Sequence, residues 1–169
     1  MQNRTLNEYI SQLKSFINNN DYLPCVELLL QAIKSYPNEE KLKLNLGIIY
    51  KLLDRKNKAI DVYTSLLETS YSSIAYNNLS LIMLEIGEIN QCIEYARKAL
   101  ISNNEYKDAK YNLAVGLFEN KEYSKSLEIC SELVKDDNYE SKASELKIRI
   151  EQITCSWDNY AVTQQLLKS

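Results

Sequence analysis

The sequence predicts an all-α chain, a right-handed superhelix (α-solenoid) of helix–turn–helix hairpins closed by C-terminal capping helices. Three observations predict it. The triplets Asn45-Leu46-Gly47, Asn78-Leu79-Ser80 and Asn112-Leu113-Ala114 recur at spacings of 33 and 34 residues. Small residues sit twelve positions apart in each repeat: Gly47 and Ala59, Ser80 and Cys92, Ala114 and Ser126. Only three glycines and two prolines occur in 169 residues, far fewer turn formers than a β-rich chain needs.

Each triplet opens the same downstream pattern. Tyr50, Ala59, Tyr63 and Leu66 follow the first; Met83, Cys92, Ala96 and Ala99 the second; Leu117, Ser126, Cys130 and Leu133 the third. A tight turn between two helices brings residues twelve apart opposite one another. Small side chains there let the backbones approach, with Tyr50 and Tyr63 filling the flanks. Gly87 falls in one such turn, where a positive φ is needed. Upstream, Leu13, Phe16, Cys25, Leu29, Ala32 and Pro37 keep the spacing, with Pro24 in the first turn of a second helix. Gln12 and Leu13 depart from the pattern of leucine followed by a small residue, as terminal repeats often do. Four hairpins are therefore predicted, at about 6–39, 40–72, 73–106 and 107–140. Ala143, Leu146, Ile150 and Ile153 form a 3-4-3 stripe, predicting a capping helix over 141–154 that covers the fourth hairpin. Residues 155–169 are expected to form a further helix, from about Trp157 to Lys168, giving ten in all.

A period of about 34 residues carrying two helices resembles the tetratricopeptide family. That resemblance implies that the first helix of each hairpin lines a concave, ligand-binding face. It puts Asn45, Asn78 and Asn112 along that face. Helices packed about 8–10 Å apart would offer one carboxamide to roughly every third residue of an extended peptide. A carboxamide both donates and accepts, so it can hold peptide backbone without reading sequence. Polar helix positions or local inter-helix hydrogen bonds are the alternative reading. On the same face lie Lys41, Ile48, Lys51 and Leu52, then Ile74, Leu81 and Glu85, then Asp108, Val115 and Glu119. Ile48, Leu81 and Val115 would form an apolar floor under a basic-to-acidic charge order; a solvated face with incidental charge order is the plainer reading. Tyr111 on the same face is placed to stack on a ligand, while Tyr50, Tyr63 and Tyr123 read as core. Members of the family that grip a terminal carboxylate use clustered cations. The matching positions here hold Ile10, Ile74 and Asn78, or Leu44, Asp108 and Asn112, which lack them.

The inventory argues against catalysis. There is no histidine, which removes triads with a His base and His-based zinc sites. Gly47, Gly87 and Gly116 stand alone, so no phosphate loop is present. No cofactor is expected. Cys25, Cys92, Cys130 and Cys155 are too scattered for a metal site and read as buried apolar groups, with Cys155 the more accessible. A net charge of −3 without a Lys/Arg run makes nucleic acid an unsuitable partner. No apolar stretch spans a membrane, and the polar N-terminus predicts a cytoplasmic chain. The expected partner is a protein or peptide.

The asparagine series also resembles that of the O-linked N-acetylglucosamine transferase superhelix. Residues 148–160, Ile-Arg-Ile-Glu-Gln-Ile-Thr-Cys-Ser-Trp-Asp-Asn-Tyr, look like the junction between repeats and catalytic region in that family and in Spindly-type proteins. The matching elements are an apolar helix ending in Cys155, then Trp157 and Tyr160 opening a new one. The resemblance implies a substrate-recognition arm whose catalytic domain lies beyond Ser169. The alternative is a stand-alone adaptor that assembles a complex unrelated to sugar transfer. Either way, far-ultraviolet circular dichroism should be dominated by helix, and a strand-dominated spectrum would refute the predicted fold.

Overall fold

The computed structural model describes the backbone of residues 4–166 and the side chains of residues 4–154. Among the described residues it contains nine α-helices and no strand. They are α1 (Leu6–Asn18), α2 (Tyr22–Ser35), α3 (Glu40–Leu52), α4 (Lys56–Thr64), α5 (Ser72–Glu85), α6 (Ile89–Ser102), α7 (Lys107–Glu119), α8 (Tyr123–Leu133) and α9 (Glu140–Leu166). The chain forms two compact units, Met1–Ile82 and Met83–Ser169, with α5 leading from one into the other.

One backbone device closes every hairpin. Asn20, Asp54, Gly87 and Lys121 all have positive φ, between 53° and 84°. The next residue's N–H bonds to the carbonyl five positions back: Asp21 to Phe16, Arg55 to Tyr50, Glu88 to Met83 and Glu122 to Leu117, at 2.8–2.9 Å. The left-handed residue itself donates three back, as Asn20 does to Ile17 and Lys121 to Phe118. This is the Schellman arrangement, which satisfies carbonyls that a helix end leaves open. At the N-terminus of α1, Thr5 and Glu8 form a reciprocal capping box.

In the first unit α1 packs on α2, α2 on α3 and α3 on α4. Gly47 is the tight point. A Cβ built there would lie 2.6 Å from the Tyr63 ring, which is wholly buried. The sequence pairs Gly47 with Ala59, and Ala59 is also fully buried. The glycine, however, makes room for an aromatic ring four residues further along α4. In the second unit α6 packs on α7, α7 on α8 and α8 on α9. Ser126 donates to the carbonyl of Ala114 at 2.7 Å, so here the small pair touches directly. The Cys92 thiol faces the carbonyl of Asn112 at 3.9 Å. Ala143, Leu146 and Ile150 of α9 are buried against Ala114, Phe118, Cys130 and Leu133. The stripe therefore caps the α7–α8 pair, and the Arg149 guanidinium lies 4.9 Å over the Phe118 ring.

Among the described residues the expected break near Cys155 is absent, and nine helices stand where ten are predicted. α9 continues without interruption from Glu140 to Leu166. Both prolines and all three glycines lie upstream of residue 117, so nothing in this stretch forces the backbone out of the helix. The side chains of Cys155, Trp157 and Tyr160 lie outside the described residues.

Two substitutions separate space from backbone geometry. Gly47→Ala should destabilise by about 1–3 kcal/mol through overpacking on Tyr63. Gly87 is surrounded by open space, with nothing within 4 Å of an added Cβ, so Gly87→Ala should cost about 1 kcal/mol from its φ of 84° alone. Lys121→Gly, at an equivalent turn with φ 62°, should stabilise by a similar amount. Urea unfolding of the three variants checks all signs.

Candidate functional site

A groove of the first unit lies between α1 and α3 and has a cavity of about 450 Å³. That size falls in the usual range for a binding pocket. Two facing stripes build it. Along α3, Lys41, Asn45 and Ile48 stand at helical spacings of four and three; along α1, Ile10, Lys14 and Ile17 repeat the same spacings. Each stripe extends about 10 Å at the helical rise. Leu13, Leu42 and Ile49 close the floor and are buried. Above them Ile17 and Ile48 are 39% and 36% exposed. Among the described residues, Asn45, Lys14 and Lys41 have no hydrogen-bond or ion-pair partner. The groove thus combines an apolar floor, an unengaged carboxamide and two unpaired cations, with Glu39 at its mouth.

The predicted site residues divide between the two units. Lys41, Asn45, Ile48, Lys51, Asn78 and Leu81 lie in the first. The Asn78 amide is engaged internally, its Nδ2 donating to the Ile74 carbonyl at 2.9 Å and its Oδ1 accepting from Lys51 Nζ at 3.3 Å. This inter-helix bond is the local alternative that the sequence leaves open for the asparagines. Leu81 is half-buried. Glu85, Asp108, Tyr111, Asn112, Val115 and Glu119 lie in the second unit. Asn112 is buried, at 7% exposure.

Val115 and Tyr111, expected on an open face, instead pack against the core cluster that α9 completes. The Tyr111 ring lies 6.2 Å from that of Tyr139, and burial and the nearby Glu145 raise its pKa. Asp108 accepts a hydrogen bond from the Tyr139 hydroxyl. Glu85 and Glu119 are exposed. Two further ion pairs tie α7 to the end of its hairpin: Lys107 holds Asp136, and Lys110 meets Glu132 at 2.5 Å. The hydrogen bond from Lys107 keeps the Asp136 carboxyl below its ordinary pKa.

The contribution of Ile10, Lys14 and Ile17 is not anticipated by the repeat pattern. A signal is nevertheless present. Leu6, Tyr9, Ile10, Leu13, Phe16 and Ile17 make an apolar arc wider than a helix packed on one neighbour needs.

No group of three or more metal-capable side chains clusters among the described residues, and no described helix is long and apolar enough to cross a membrane. Cys25, Cys92 and Cys130 are buried and unpaired. Burial raises all three thiol pKa values, that of Cys92 to about 11.

Neither a protein-family model nor any curated protein matches the sequence. Solved structures do match in fold. A tetratricopeptide repeat protein from Parabacteroides merdae is 20% identical with a TM-score of 0.77, over 94% of this chain and 66% of that one. PilF of Pseudomonas aeruginosa is 18% identical with a TM-score of 0.77, over 95% and 74%. YrrB, described as a TPR protein with an unusual peptide-binding site, is 12% identical with a TM-score of 0.68, over 87% and 76%. The fold is that of the tetratricopeptide repeat proteins.

The three thiols give a direct check on packing. At pH 8, where the thiol form of Cys92 predominates, a thiol reagent should modify Cys25, Cys92 and Cys130 slowly in the native chain and rapidly in denaturant. Fast native labelling of any of them, mapped by mass spectrometry, would contradict its burial.

Proposed function

We propose that the chain is a protein-binding scaffold that holds an extended polypeptide segment in the groove between α1 and α3. The observation that carries this reading is the apolar groove, with Ile17 and Ile48 exposed in it, beside the unengaged Asn45 amide. An α-helical ligand satisfies its own backbone groups, whereas an extended segment presents free N–H and C=O groups that a carboxamide can pair. The peptide-binding site described for YrrB, on the same fold, supports the reading. Of the three asparagines expected to act together, Asn45 is the one whose amide is open to a ligand. Asn78 and Asn112 are assigned to holding helices in place.

The two finer readings are an arm of a protein O-glycosyltransferase and a stand-alone adaptor. The continuous α9 takes away the helix break on which the junction resemblance stood, and this favours the adaptor.

The test is selection of a displayed random-peptide library on the immobilised chain, followed by titration of the enriched peptides. Ile48→Asp should weaken binding by about tenfold or more, since it places a charge on the exposed apolar wall of the groove. Asn45→Ala should weaken it about two- to tenfold, the worth of one neutral hydrogen bond. Leu30→Asp, on the exposed outer side of α2, should change nothing. Peptides that bind wild type and Ile48→Asp equally would place the binding surface elsewhere.

A further inference from the structure

The charge of the groove runs against that of the chain. The whole sequence carries −3, yet the two stripes present Lys14 and Lys41 from opposite walls, with Glu39 the one carboxylate among the described lining residues. Neither lysine has a carboxylate within ion-pair distance among the described residues. Lys107, Lys110 and Lys125 are paired with Asp136, Glu132 and Glu122; Lys34, Lys43, Lys121, Lys135 and Lys142 also lack an ion-pair partner among the described residues, but they do not line the groove. Lys51, further along α3, is held by Asn78. Lys14 stands between Ile10 and Ile17 on α1, and Lys41 opens the α3 stripe, one turn before Asn45 and two before Ile48.

Resting on the groove reading above, we propose that the preferred occupant is an extended segment with an internal acidic side chain flanked by apolar ones. The segment is about three residues long, because about 10 Å of groove accommodates about three residues at roughly 3.3 Å each. Alternation along an extended chain turns the flanking side chains to the same face, where they meet the floor formed by Leu13, Leu42 and Ile49. The central carboxylate then points away from the floor, toward the rim where the two ammonium groups stand. Asn45 pairs the backbone between them. The acid is internal, so recognition needs no free C-terminus.

The probes are blocked peptides, acetylated and amidated, with a central Asp, Asn or Lys between leucines, set in the flanks of the strongest selected sequence. The Asp peptide should bind about three- to tenfold more tightly than the Asn peptide, and the Lys peptide more weakly than both. The preference should shrink as salt rises. Lys14→Glu combined with Lys41→Glu should reverse the order, favouring the Lys peptide, while leaving the helical spectrum unchanged because both side chains are exposed. Equal affinities of the three peptides that still fall with Ile48→Asp would overturn the acidic preference and leave the groove reading standing. Binding insensitive to Ile48→Asp, or no enrichment from the library, would overturn both.

Discussion

Close approach of the two helices within a hairpin is the constraint on which the rest depends. It is achieved differently in each unit. At Gly47 the missing side chain admits the Tyr63 ring, and at Ala114 the exposed carbonyl takes the Ser126 hydroxyl. A buried hydroxyl without a partner would cost about 1–3 kcal/mol, so Ser126 is tolerated only because that carbonyl is within reach. Once the pair is closed, the small-residue faces are used up. The remaining apolar faces must then be covered by the next hairpin or, at the end of the second unit, by α9.

Much of this is legible in the residues because it rests on period and size. The recurrence of Asn-Leu followed by a small residue locates the first helices, and the twelve-residue spacing locates their partners. The stretch from Glu140 to Ile153 announces its packing face through Ala143, Leu146 and Ile150. What is not legible depends on identity of contact. Tyr63 reads as core, but only the packing shows that it is the reason for Gly47. Val115 and Tyr111 stand at positions equivalent to groove-lining residues, yet α9 covers them. A repeat pattern cannot register that covering, because it belongs to one end of the array. The misplaced end of the predicted capping helix has a similar origin: Trp157 suggests a boundary, but aromatic residues do not stop a helix.

The candidate site is half legible. Lys41, Asn45 and Ile48 fall on one face of α3, as their spacing implies. Their partners on α1 are hidden, because the first hairpin departs from the repeat at Gln12 and Leu13 and so resembles an atypical end. The departure is itself informative. Leu13 is large where other hairpins carry a small residue, and it forms part of the floor beneath Ile17 and Ile48. The asparagines show the same lesson from the other side. Three residues identical in repeat position have three different surroundings: half-buried and unengaged for Asn45, bonded across helices for Asn78, buried for Asn112.

The Schellman turns have a consequence for how the chain reaches its structure. Each joins neighbouring helices by bonds spanning five residues or fewer, and within each unit helix packing joins mainly elements consecutive in sequence. Little of the chain must be brought together from a distance, so the entropy lost in closing loops before contacts form is small. Low contact order of this kind places helical repeat chains among the fast folders, in the microsecond to millisecond range. Nucleation can begin in any hairpin and spread to its neighbour. Asp54 and Lys121, which adopt a left-handed backbone without being glycine, set how readily their own hairpins begin. None of the four turn residues lines the groove.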